Sequence, residues 1–216
     1  MTDAADIAAT RVAEADLLGL VASRLCHDLI SPAGAIGNGV ELLTEMGGAA
    51  ADGPELRLIA ASADNLSATL QFLRIAFGAA PVGERQGLPA LQRVARAWFA
   101  HQRPSLDWPD LPGETTRRAA RLRLNLLQAA ASCLPRGGEV RVVERPDGGF
   151  EVTASGAGLA APESAESWLS GDVHAPRPQP REVHWVLAGR HAREAGASVE
   201  LVRGEARLTL AAAPPR

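Results

Sequence analysis

The sequence predicts an α+β protein: an N-terminal antiparallel helical hairpin that pairs with a second copy as a four-helix bundle, followed by an α/β sandwich. Three observations predict it. Two long stretches before residue 78 carry apolar residues at helical spacing, and the rest of the chain reads as α-β-α-β-β-loop-α-β-β. A stretch at 81–87 with Pro81, Gly83 and Gly87 reads as a linker between the two. The expected units are therefore residues 13–80 and 81–216.

In the first stretch, Leu18, Ala22, Leu25, Leu29, Ile36, Val40 and Leu43 recur at steps of three, four and seven. At about 100° per residue they share one narrow stripe, which predicts a helix over 13–46. Gly47-Gly48 ends the pattern, and Asp52-Gly53-Pro54 supplies a helix start with proline in its first turn. A second stripe follows in Leu56, Ile59, Ala63, Leu66, Leu70, Leu73 and Phe77, alternating three and four as bundle packing requires. Two helices cannot cover both stripes together with Leu20, Ile30, Leu58, Phe72 and Ile75. A two-fold dimer through residues 13–77 makes the four helices that can.

After the linker the pattern predicts a helix over 88–100, a short strand at Ser105–Trp108 and a helix over 115–133. Strands Glu139–Glu144 and Phe150–Ala154 are joined by an Asp147-Gly148-Gly149 turn. A loop with prolines at 162, 176, 178 and 180 leads to a helix over 182–195. Strands Ser198–Val202 and Ala206–Ala211, turning at Arg203-Gly204, close the chain.

Composition narrows the function. The 216 residues hold 22 basic side chains, all of them arginine, so Schiff-base amines and the phosphate-gripping lysine of a P-loop are excluded. A net charge of −3 argues against a nucleic-acid partner and for a protein partner. No apolar run approaches the ~20 residues of a membrane span, so no membrane role is expected. The start Met1-Thr2-Asp3 has no signal-peptide character, which with free thiols at Cys26 and Cys133 predicts a cytoplasmic protein. No His/Cys/Asp cluster stands at metal-ligand spacing, so no metal is expected.

His27 lies about 180° from the core stripe of the first helix and is expected in solvent. Ser23, Arg24, Ser31, Gly34 and Asn38 share its face and leave room for another protein. Asp28 follows directly and can accept a hydrogen bond from one ring nitrogen, leaving the other as a nucleophile. Pro32 is expected to bend the helix just past the site. A partner reaching His27 would first meet Leu20, Ser23, Arg24, Ser31, Gly34, Asn38 and Glu41. Cys26 reads as a small packing residue. His101, His174, His184 and His191, without acidic partners at a telling spacing, read as structural or solvated.

His27-Asp28-Leu29-Ile30-Ser31-Pro32 resembles the phosphoacceptor box of sensor histidine kinases, with Ile30 where those proteins often carry a basic residue. The resemblance implies phosphorylation of His27, an acid/base or orienting role for Asp28 and a positioning role for Ser31. The second unit is similar to the kinases' ATP-binding domain. Asn125-Leu126-Leu127-Gln128-Ala129-Ala130 and Pro135-Arg136-Gly137-Gly138 match its asparagine box, and Val152 to Leu159 its first glycine box. Alanine stands at 129, where the box carries a magnesium-binding asparagine, and at 154, where the adenine-binding aspartate belongs. No second glycine box is recognisable between Gly171 and Val186. These losses imply a scaffold that binds no nucleotide, in which Gly156, Gly158 and Asn125 serve structure, the last as a helix-surface or capping residue.

An intact phosphoacceptor helix beside a degenerate ATP-binding domain resembles the alphaproteobacterial ChpT family of histidine phosphotransferases, over about Leu17 to Ala211. That family implies a dimeric phosphorelay protein in cell-cycle regulation. It would receive a phosphoryl group from the receiver domain of a CckA-like hybrid kinase and pass it to response regulator receiver domains of CtrA and CpdR type. The Mg2+ for the transfer would come from the receiver. An atypical active kinase and a phosphorylation-independent dimeric adaptor are the alternatives.

Overall fold

A computed structural model describes residues 14–45 and 53–214. The expected turn at Gly47-Gly48 and Asp52 lies outside the described residues. Helix α1 (Glu14–Glu45) and helix α2 (Pro54–Ala76) pack as a hairpin. They approach closely at Gly39, where an added Cβ would stand 2.5 Å from Ile59 Cγ1. Helix α1 runs unbroken through Pro32.

The remaining elements are β1 (Arg85–Gly87), α3 (Leu88–Phe99), β2 (Ser105–Asp107), β3 (Glu114–Thr116), α4 (Arg117–Ser132), β4 (Glu139–Glu144), β5 (Phe150–Ser155), α5 (Ala165–Ser170), α6 (Val183–Glu194), β6 (Ser198–Arg203) and β7 (Arg207–Ala213). They form a mixed five-stranded sheet in the order β2-β4-β5-β7-β6, in which only the β2–β4 pair is parallel. Every second residue of β5 and of β7 is buried, as expected of a sheet packed on one face. That face meets Leu124 and Leu127 of α4 and Trp185 and Ala188 of α6 in one core.

Several sequence expectations need correction. Residues 85–87, read as linker, pair antiparallel with 114–116 because the chain returns there before α4 and satisfies their backbone groups. The proline-rich loop contains α5, stopped by Gly171 at φ 75°, and a 3-10 turn at Pro180–Glu182 held by a Gln179–Glu182 capping box. His191, read as lacking an acidic partner, has Glu194 Oε2 3.5 Å from its Nδ1. Cys26 is exposed rather than packed, while Cys133 is buried.

The core crosses the segment that links hairpin and sheet. Phe72 is fully buried and stacks on Trp98 at 4.3 Å, and Leu73, Ile75 and Ala76 enter the same cluster. Asn125, expected on the helix surface, is also fully buried. Its Nδ2 donates to the carbonyls of Ala76 and Arg121, both at 2.9 Å, and so joins the end of α2 to the middle of α4. A second, smaller cluster packs Leu17 and Leu20 of α1 against Val183 and Leu187 of α6.

Two predictions follow from these buried polar groups. Asn125→Ala leaves the Ala76 carbonyl without its donor and should lower the unfolding free energy by about 1–3 kcal/mol in urea titrations. His184 and His191 are held neutral: burial, aided by the Arg24 charge, pushes His184 down to about 3, and burial with Arg121 pushes His191 down to about 4. An unfolded histidine titrates near ~6.5, so from there down towards 4 the unfolded chain binds more protons and stability falls with falling pH. The loss at pH 5 is about 2 kcal/mol per histidine, and His184→Leu should flatten the slope of urea midpoint against pH.

Candidate functional site

His27 sits mid-way along α1, with 84% of its side chain exposed. Its Nδ1 lies 3.1 Å from Asp28 Oδ1. An ionised carboxylate only accepts hydrogen bonds, so Nδ1 carries the proton and Nε2 presents its lone pair to solvent. The other Asp28 oxygen accepts from Arg24 Nε at 2.7 Å, and Arg24 Nη1 donates to the Arg181 carbonyl at 3.1 Å. Asp28 and Arg24 are 17% and 18% exposed. An exposed imidazole thus stands on a largely covered carboxylate.

Beside the ring opens a polar cleft of about 220 Å³. Ser31 lines it from α1, Asn65 and Thr69 from α2, and Gln102 from just beyond α3. Thr69 Oγ1 donates to Asn65 Oδ1 at 3.3 Å, so the Asn65 NH2 is the end left to donate into the cleft. A cleft of this size with hydroxyl and amide donors beside a free imidazole nitrogen suits a phosphoryl-sized anion.

Of the residues expected to meet a partner, Ser23, Ser31, Gly34, Asn38 and Glu41 are exposed. Leu20 is not: it is 8% exposed beneath α6, which docks on α1 two to three turns before the site. Arg24 is engaged within the chain rather than projecting freely. Asn65, Thr69 and Gln102 were not singled out by their sequence. A polar pair at i, i+4 on a helix is too common to signal a site, and only the fold brings the end of α3 to it.

The kinase-like motifs have a different fate. Ala129 and Ala154 are both fully buried in the sheet–helix core. The glycine pair after α4 crosses the glycine after β5 at backbone contact. A Cβ on Gly156 would stand 2.8 Å from the Gly137 carbonyl, and Gly138 has φ 141°. Glycine is needed there for close approach. Among the described residues no group of three or more His, Cys, Asp or Glu is placed to hold a metal, and no helix is long and apolar enough to cross a membrane.

A family model described as the histidine phosphotransferase C-terminal domain matches residues 88–207. The chain belongs to the histidine phosphotransferase family. It is 39% identical over 174 residues to protein phosphotransferase ChpT of Brucella abortus (strain 2308), across 76% of this chain and 82% of that one. A solved bacterial phosphotransferase, at 34% identity and a TM-score of 0.77, is similar over 92% of this chain and 96% of its own. A phosphotransfer role follows from this membership.

Proposed function

We propose that this histidine phosphotransferase is a dimeric relay in which His27 takes a phosphoryl group from the receiver domain of a CckA-like hybrid kinase. It then hands the group to receiver domains of CtrA- and CpdR-like response regulators, in the cytoplasm. The observation that carries the reading is the Nδ1 contact to Asp28, which leaves Nε2 free on a ring that lines the cleft. In the forward step Nε2 attacks phosphorus of the receiver's aspartyl phosphate. The N–P bond forms as the acyl O–P bond breaks, and the receiver's aspartate leaves as a carboxylate. The proton stays on Nδ1, where Asp28 stabilises the positive charge the ring acquires. Ser31, with the α2 amide of Asn65, would donate to phosphoryl oxygens; both line the cleft beside the ring. The receiver's acidic pocket would bring the Mg2+ that neutralises them.

The division of labour is transfer and dimerisation in 13–80 and a nucleotide-free scaffold in 81–216. Supporting the second point, the positions that would read adenine and bind a cation are alanines within the core. They can supply neither carboxylate nor amide. Supporting dimerisation, Leu18 is 71% exposed and Val40, Leu58 and Leu70 about half exposed. Val21, Leu25, Leu29, Leu70 and Phe77 line an apolar groove between α1 and α2. A second hairpin would cover this surface, whose exposure in one chain is costly.

Two measurements test these claims. A receiver domain carrying labelled phosphate should transfer label to the wild-type chain and not to His27→Ala, while labelled ATP alone labels neither. Label from ATP would instead identify an autokinase, and no label from either source an adaptor. The wild-type chain should sediment as a dimer at micromolar concentration, with Leu70→Asp shifting it to monomer. A stable wild-type monomer overturns the dimer.

A further inference from the structure

The carboxylate that holds His27 is itself held from another part of the fold. One Asp28 oxygen faces the ring, and the other accepts from Arg24 Nε at 2.7 Å. The same guanidinium reaches the backbone carbonyl of Arg181, 157 residues away in the 3-10 turn before α6. We propose that Arg24 is a positioning residue that ties Asp28, and through it the nucleophilic nitrogen of His27, to the docked 180–182 turn of the second unit. The proposal rests on the reading of His27 as phosphoacceptor and adds what holds that nucleophile in register.

Helix stabilisation does not account for the Arg24–Asp28 pair. With arginine four residues before the aspartate, it has the less favourable orientation for an isolated helix, where such pairs contribute only about 0.2–0.5 kcal/mol. A planar guanidinium is suited to the bridging instead. It presents donors in a rigid fork, so fixing one to Arg181 fixes the direction of the other towards Asp28. Lysine, a single rotatable ammonium, cannot hold both acceptors in that geometry.

The far end of the bridge is rigid. The 3-10 turn is closed by the Gln179–Glu182 capping box, in which the backbone N–H of Gln179 donates to Glu182 Oε2 at 2.8 Å. Leu17 and Leu20 bury against Val183 and Leu187 directly after it. Arg177 adds an ion pair to Asp16 at 3.0 Å. The last two contacts join α1 to the segment 177–187, two to three turns before His27. The segment 177–187 thus serves as a splint for the helix that carries His27. The splint matters because both restrained groups would otherwise rotate. An exposed aspartate samples several rotamers, and a free neutral imidazole favours the Nε2-protonated tautomer, which has no outward lone pair on that nitrogen. Holding the reacting atom in place is where orientation lowers a barrier.

The test uses the full chain and phosphoramidate, a small donor that needs no docking surface. Transfer breaks the N–P bond of phosphoramidate, releases ammonia and forms the Nε2–P bond. Long-range 1H–15N spectra of histidine-labelled protein report the His27 tautomer independently. Wild type should show Nδ1-protonated His27. In Arg24→Ala the Nε2-protonated form should rise and phosphorylation slow by about tenfold to a hundredfold. Arg24→Lys should fall between the two. Leu187→Ala, which loosens the docked segment and leaves Arg24 and Asp28 intact, should move the tautomer the same way to a smaller degree. Unchanged tautomer and rate in folded Arg24→Ala overturn the proposal. So does a defect seen with a receiver donor but not with phosphoramidate, since that identifies Arg24 as a docking contact. If Arg24→Ala does not fold, Arg24→Lys and Leu187→Ala decide by the same two readouts. His27→Ala phosphorylated as fast as wild type would overturn the phosphoacceptor reading instead, leaving the tautomer result standing.

Discussion

The burial of the last turns of α2 in the core of the sheet unit is the contact on which the rest of the structure depends. Phe72 stacked on Trp98, with no exposure left, is the type of residue whose truncation costs about 3–5 kcal/mol. Asn125 closes the same junction by satisfying the Ala76 carbonyl at the helix end, where backbone acceptors otherwise lack partners. The hairpin and the sheet are thereby one packed body. Only for that reason can the end of α3 stand beside His27 and the turn before α6 reach α1.

The degenerate motifs make physical sense inside that body. A buried asparagine or aspartate with no ligand to meet would carry unsatisfied polar atoms at a cost of a few kcal/mol each. Alanine at 129 and 154 removes that cost and leaves the two sites as ordinary interior between α4 and the sheet. Asn125, kept from the same motif, is retained on a different ground: both donors of its amide now bond carbonyls of this chain. The glycines that persist do so because two loop backbones cross at contact distance.

Much of the fold was legible because its signals are local. The strands Glu139–Glu144 and Phe150–Ala154 alternate faces and are separated by an Asp-Gly-Gly turn, and the two long helices carry unbroken stripes. The short elements were not legible. A three-residue strand at Arg85–Gly87 exists only because Glu114–Thr116 comes back beside it, and α5 is too short to show a period. In the site, the outward direction of His27 and its bond to Asp28 were legible, since both follow from position on one helix. Leu20 was not, because a helical wheel drawn for α1 cannot show that Val183 and Leu187 will cover it. Asn65 and Gln102 belong to other elements and carry no local mark.

By itself the sequence determined the exposure of the His27 imidazole, the carboxylate next to it, the two long helices and the sheet that follows. Each of these is set by periodicity or by neighbours within a few residues. Tertiary structure alone decided which distant groups meet one another. Arg24 meets the Arg181 carbonyl, Asn125 meets Ala76, and α2 and α3 close the cleft across separations that no spacing in the chain encodes. A helix sets the direction of its own side chains, but their partners depend on how the whole core packs.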